Sequence, residues 1–334
     1  MQYANLGRTG LKVSRIALGC MSFGLQANEW RLDEAAGRKI IARALELGIN
    51  FFDTANMYGK GESEIVLGRA IADLVPRDQV VIATKLFYPM SPDPNGRGLS
   101  RKAVLGAIDA SLRRLGMEYV DLYQIHRWDE ETPIDETMRA LEDVVRSGKV
   151  RYLGASSMFA WQFMKAQQVA RLSQQSTFVS VQPHYNLLNR EEEREMLPMC
   201  RAEGIGVLPW SPLARGLLAR PWKAVSTSNR AAFDRTAQML YGDSEEADSR
   251  VVDAVQAAAH ARGVSQAQMA LAWLLAKPGI TAPIVGAAKL SHLEDVVASL
   301  DIALSPSEIA AMEAPYKAHQ ISFIQEIPGS DQDR

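Results

Sequence analysis

Asp53, Tyr58, Lys85 and His126 each stand where a short apolar run gives way to polar text. Residues 49–52 lead into Asp53 and then Tyr58, residues 80–84 lead into Lys85, and residues 120–125 lead into His126. Apolar runs of this length read as buried strands, so each group sits at a strand end or in the loop leaving it. The chemistry these types allow is proton transfer to a carbonyl oxygen. A tyrosine with a reference pKa of ~10 is a weak acid near neutrality, but an adjacent ammonium stabilises its phenolate and is expected to lower that value. Asp53 would hold the lysine, Lys85 would be the electrostatic partner of Tyr58, and His126 would hydrogen-bond the carbonyl oxygen. Together the four suit carbonyl reduction with Tyr58 as general acid.

Groups so far apart in the chain meet only if several strands end at one place. Alternating strands and helices predict a (β/α)8 TIM barrel, whose active sites form at the C-terminal strand ends. Residues 2–6 and 11–14 around the 7–10 turn predict a hairpin that plugs the barrel's bottom. Barrel strands are expected at 16–21, 150–155, 180–185, 205–210 and 282–286 besides the three above. Helices are expected at 33–48, 62–74, 100–116, 247–262, 265–276 and 305–312, with Asp33 and Ser100 as N-caps and Gly48 as a stop. Asn189 is expected to cap a further helix that starts at Arg190. The whole chain, 1–334, reads as one barrel domain, with a hairpin at 1–14, a long cofactor-covering loop at 213–245 after strand seven, and a loose tail at 327–334.

Loops at the mouth supply further candidates. Phe87 and Tyr88 open a Pro- and Gly-rich loop at 87–99 and either line a substrate pocket or pack the loop base. Trp128 is expected to wall the substrate cavity, and Arg127 either attracts an anionic substrate or makes a rim ion pair. The glycines near 59–64 do not complete a dinucleotide-binding fingerprint. Arg215, Arg220, Lys223, Arg230 and Arg235 spread along the long loop, which can close over a pyrophosphate with amides and guanidinium groups.

Composition narrows the classes. With 47% hydrophobic and 23% charged residues the chain can bury a large core, and a net charge of -2 argues against a nucleic-acid binder. Cys20 and Cys200 form no metal-ligand spacing. No secretory leader and no membrane-length apolar run is read, so the cytoplasm is the expected compartment. The expected partner is a small-molecule carbonyl substrate, with homo-oligomerisation left open.

The four groups, with the text FFDTANMYG, SLRRLGMEYVDLYQIHRWD, GKVRYLGASSM, VQPHYN and PWSPLARGLLAR around them, resemble the aldo-keto reductase superfamily over nearly the whole chain. Within it the likeness is greatest to the bacterial YajO-type reductases. The resemblance implies NADPH/NADP+ as cofactor. It places Gly19, Met21 and Asp53 among the cofactor contacts, Ser156, Ser157 and Gln182 on the nicotinamide carboxamide, and Trp210 against its ring. Ser211, Leu213, Arg215 and Gly216 would contact the pyrophosphate, and Gly286, Lys289, His292 and Asp295 the adenosine end, with Lys289 and His292 on the 2′-phosphate. Ser157 stands where the family commonly has Asn, His292 where it has Arg or Gln, and Asp295 where it has Glu. Two other activities stay open: pentulose-phosphate chemistry related to 1-deoxyxylulose 5-phosphate, and an NADP(H)-binding sensor with slow turnover, similar to potassium-channel β-subunits.

Overall fold

Eight short strands, each mostly buried, lie parallel in an order that follows the chain. They are β3 (Ala17–Gly19), β4 (Phe51–Asp53), β5 (Val81–Leu86), β6 (Val120–Ile125), β7 (Val150–Ser156), β8 (Phe178–Gln182), β9 (Gly206–Val207) and β10 (Ile284–Val285). β10 pairs with β3. The ring closes on its other side where Thr281 and Ile284 N–H groups donate to Val207 O and Pro209 O, both at 2.9 Å. In this computed structural model, residues 1–24, 32–224, 235–242 and 244–319 are described. The fold is the expected (β/α)8 barrel, preceded by the antiparallel pair β1 (Tyr3–Asn5) and β2 (Lys12–Ser14).

Helices α1 (Glu34–Glu46), α2 (Glu62–Leu74), α3 (Arg101–Leu115), α4 (Ile134–Arg146), α5 (Ala160–Leu172) and α6 (Met196–Glu203) cover the outside. α7 (Arg235–Tyr241), α8 (Glu245–Arg262), α9 (Gln266–Ala276), α10 (Leu290–Ala298) and α11 (Pro306–Glu313) complete the set among the described residues. The starts of α1, α3 and α9 are set by side-chain caps: Asp33 accepts from Ala36 N–H, Ser100 from Ala103 N–H and Ser265 from Gln268 N–H. No helix of the described residues is long and apolar enough to cross a membrane.

Two apolar clusters result. The larger lies between strands and helices. The smaller fills the barrel, with Phe51, Val81, Ala83, Leu122 and Leu208 joined by Leu6 and Val13 of the hairpin. The hairpin therefore does form the barrel floor. Gly7 permits this, because its φ is +58° and a Cβ there would lie 2.7 Å from Gly204 O and from Gly206 N.

Some expectations shift. The helix expected from Arg190 begins only at Met196. Asn189 does not cap it, because the Asn189 amide donates to His184 Nδ1 at 3.1 Å. Strand seven is cut to Gly206–Val207, since Pro209 cannot donate to a ladder. The long loop is not wholly irregular: 3-10 turns at Ala214–Ala219 and Trp222–Ala224 precede α7. Arg230 and the expected loose tail lie outside the described residues.

Candidate active site

In a strand, alternate residues face one side, and along β4, β5 and β6 the inward set changes from apolar to ionisable toward the mouth. Phe51 is followed by Asp53, Val81 and Ala83 by Lys85, and Leu122 by Gln124 and then His126. Register fixes the juxtaposition, with Asp53 beside Ala83 and Lys85 beside Gln124.

Lys85, fully buried, donates through Nζ to Asp53 Oδ1 at 2.5 Å, to Thr54 O at 2.9 Å and to Tyr58 Oη at 3.3 Å. A buried ion pair is stable only when its remaining lone pairs and protons are satisfied. Here they are: Asp53 Oδ2 accepts from Gln124 Nε2 and Gln182 Nε2, both at 3.0 Å. Burial alone would lower the Lys85 pKa, but Asp53 and Tyr58 outweigh it and the net shift is upward. The lysine is an ammonium at any ordinary pH.

Tyr58 departs from expectation in one respect. Burial of the phenol raises its pKa, Lys85 offsets this in part, Asp53 adds to the rise, and the net shift is upward. The lysine therefore limits a rise caused by burial and does not bring the phenol below its ordinary value. His126 is pushed well below the usual imidazole range, by burial first and then by Lys85 and Arg127. It is neutral, and its buried Nδ1 has no partner among the described residues. Its ring meets Tyr58 edge to face at 5.8 Å and Tyr88 at 5.0 Å.

The loop carrying Tyr58 is held from below. After it, Gly59, Lys60 and Gly61 all have positive φ, with the non-glycine Lys60 at 54°, a strained conformation of the kind that clusters at functional sites. Ser63 Oγ then donates to Cys20 O at 2.6 Å, and buried Glu64 accepts from Thr84 Oγ1 and Arg114 Nε, both at 2.6 Å. These bonds tie the start of α2 to β3, β5 and α3.

Of the expected pocket residues, Phe87 and Tyr88 stack edge to face at 5.4 Å, and Arg127 stands 5.6 Å over the Tyr88 ring while donating to His126 O at 2.7 Å. Tyr88 and Arg127 therefore do border the tetrad. Trp128 is buried in the larger core, with its ring 6.1 Å from that of Trp161 of α5.

The residues expected at the nicotinamide end fall together. Ser156 Oγ donates to Gln182 O at 2.9 Å and lies 3.1 Å from Ser157 Oγ, which accepts from Trp210 Nε1 at 3.0 Å. Gln182 does more than expected, since its amide also holds Asp53. One face of Trp210 is covered by His184, stacked at 4.2 Å and 12°. His184 Nδ1 lies 3.1 Å from Asn189 Nδ2, and its Nε2 lies 2.7 Å from Tyr241 Oη and 3.3 Å from Asn186 Nδ2. Asn186 Nδ2 donates to Ser211 O at 2.9 Å. Ser211, Ala214, Arg215 and Gly216 all have positive φ, and Leu213 O accepts from Gly216 N–H at 2.8 Å.

Gly19 and Met21 flank Cys20, whose N–H donates to Asp53 O at 2.8 Å. At the far end Lys289 immediately precedes α10. His292 lies in its first turn with a pKa lowered by burial, then by Lys289 and, with Asp295 opposing, by Arg220. Three cationic or protonatable groups and a helix N-terminus suit a phosphate. Asp295 instead accepts from Gln268 Nε2 at 3.3 Å. The indole with His184 on one face, the small hydroxyls beside it and this cationic end fit a nicotinamide dinucleotide.

Gln124, Thr54 O and Tyr241 escaped the sequence reading. A glutamine at an inward position of a buried strand was the available signal for the first.

Comparison with known proteins agrees with this fold. The "Aldo/keto reductase family" profile matches residues 15–317. The chain is similar to versiconal hemiacetal acetate reductase of Aspergillus parasiticus, 43% identical over 95% of this chain and 97% of that protein. It is also similar to the aldo-keto reductase dtxS3 of Metarhizium robertsii, 39% identical over 96% and 92% of the two chains. A third likeness is to the aldo-keto reductase AMT2 of Alternaria alternata, 40% identical over 95% and 92%. With its barrel, its strand-end residues and these likenesses spanning nearly all of its length, the chain belongs to the aldo/keto reductase family.

Proposed function

We propose that this protein reduces an aldehyde or ketone to an alcohol with NADPH, Tyr58 giving the proton. The observation that carries the reading is the line of contacts from buried Asp53 through buried Lys85 to Tyr58, with neutral His126 beside it. A reduced nicotinamide supplies the hydride in such a reaction. The chain's own groups do the rest. The Tyr58 hydroxyl donates to the carbonyl oxygen, and the Lys85 ammonium stabilises the phenolate left behind. His126, being uncharged, orients the oxygen through its one N–H and does not compete as the acid. Ser156, Ser157 and Gln182 orient the carboxamide. Trp210 flanks the ring, and Lys289, His292 and Arg220 take the 2′-phosphate. Reductase names among the relatives support the same reading.

Within the family we place the chain beside the bacterial YajO-type reductases on the blocks quoted above. We read its partner as a small-molecule carbonyl compound in the cytoplasm. The deciding experiment mixes purified protein and NADPH with a panel of neutral aldehydes, ketones and pentulose phosphates. Carbonyl-dependent oxidation of NADPH supports the reading, and its absence across the panel rejects it. Turnover confined to pentulose phosphates would favour that substrate class.

A further inference from the structure

Gln124 lies at the inward position two residues before His126, fully buried and level with Lys85. Its Nε2 donates to Asp53 Oδ2 at 3.0 Å, and its Oε1 accepts from Gln182 Nε2 at 3.3 Å. Gln182 Nε2 donates to the same Asp53 oxygen, also at 3.0 Å. One carboxylate oxygen thus has two amide donors, while one amide nitrogen is divided between two acceptors. The neighbouring strand makes room for this: a Cβ on Gly154 would lie 3.0 Å from Gln124 Cγ and 2.8 Å from Ser180 Oγ.

The duplication has a purpose if Gln182 also serves the coenzyme. An amide that turns toward the nicotinamide carboxamide leaves Asp53. Without a second donor, Oδ2 would then be a buried anionic oxygen with no hydrogen bond, a costly state. We infer that Gln124 is a positioning residue: it stays on Asp53 Oδ2, so that Gln182 passes to the coenzyme while Asp53 remains aimed at Lys85. The inference rests on the coenzyme-dependent reading above.

The test is a double-mutant cycle on coenzyme affinity, read by quenching of tryptophan fluorescence. Gln124→Leu removes the second donor, so Gln182 is released less readily. NADPH and NADH should both bind about 3- to 10-fold more weakly, the worth of one hydrogen bond, because the affected end is common to the two. In a Gln182→Leu background the same change should cost less than about twofold, since the amide it releases is gone. Turnover gives a second readout. Gln124→Leu should lower kcat about tenfold and leave the carbonyl KM nearly unchanged, as expected when an aimed group is disturbed.

Gln124→Glu donates to Asp53 only while protonated and repels it when ionised. Its kcat relative to the parent should therefore rise as pH falls from about 8 to about 6. Asp53 is bonded to the position and Lys85 lies level with it, while Tyr58, His126, Arg127 and the Cys20 thiol interact with that pair or with one another, and dividing by the parent's profile removes their common contribution. Should Gln124→Leu fail to fold, the Glu variant carries the same coenzyme titration across pH, with affinity recovering as pH falls.

Coenzyme affinity unchanged in Gln124→Leu, equal losses with and without Gln182, or a Glu variant indifferent to pH would each overturn the inference. A protein that binds NADPH but reduces no carbonyl compound defeats the reductase reading alone, because the affinity cycle still decides the role of Gln124. A protein that binds neither coenzyme overturns both.

Discussion

The His184 imidazole lies flat on the Trp210 indole, their centroids 4.2 Å apart, while both of its nitrogens are spoken for. Burial, with smaller contributions from His319, Arg215 and Arg127, lowers its pKa to about 3. A histidine kept neutral in the fold but free to protonate in the unfolded chain, near pH ~6.5, favours unfolding as acid is added. Its stabilising effect is complete above about pH 6.5 and lost progressively toward pH 3. Between about pH 6.5 and 4.5 the loss is about 2–3 kcal/mol. His184→Phe keeps the stack and removes the titration. Its melting temperature should be lower than the parent's near neutrality and fall less between about pH 6.5 and 4.5. Parallel falls in the two proteins would mean that His184 does not carry this acid sensitivity.

Tyr58→Phe removes the proposed proton donor and little else. The rate of carbonyl reduction should fall by about 10²- to 10⁴-fold with coenzyme affinity nearly intact. Retention of more than about a tenth of the turnover on every substrate would show that Tyr58 is not the acid.

Lys85→Met should abolish measurable reduction. The direction of the accompanying pH effect follows from the site: burial raises the Tyr58 pKa and Lys85 opposes that rise, so loss of the ammonium moves the tyrosine further up. Any residual activity should keep its basic limb at a higher pH than the parent's. A basic limb that stayed in place, with normal rates, would take Lys85 out of the reaction.

Coenzyme choice should depend on the start of α10. Removing the Lys289 ammonium deletes a charge-assisted contact to the 2′-phosphate, and Lys289→Ala should weaken NADPH about 10- to 100-fold while NADH binding hardly changes. Lys289 is also one cause of the lowered His292 pKa. In the Lys289 variant His292 should therefore protonate at higher pH, and the acid-side gain in NADPH affinity should begin earlier. Fluorescence titrations with both coenzymes check this, and equal losses for NADPH and NADH would move the phosphate elsewhere.

Much of this site could be read from residue types alone, because each tetrad member ends an apolar run and barrel strand ends converge. Gln124 was not legible in that way. Its importance lies in a hydrogen bond to Asp53, 71 residues earlier, and another from Gln182, and neither distance is written in the local pattern. The sign of the Tyr58 shift was also out of reach, since it depends on how deeply the phenol is buried relative to its distance from Lys85. Asn189 shows the opposite failure: an asparagine before three glutamates looks like a helix cap, and a tertiary contact to His184 took its amide instead.

The hairpin floor has a practical use. Lys12 of β2 is exposed at the end of the barrel opposite the mouth, and both native cysteines, Cys20 and Cys200, are buried. A Lys12→Cys variant would present one reactive thiol to a maleimide dye or a derivatised bead. Protein attached there would face solution with its open end outward, so substrate could reach the barrel mouth without passing the support.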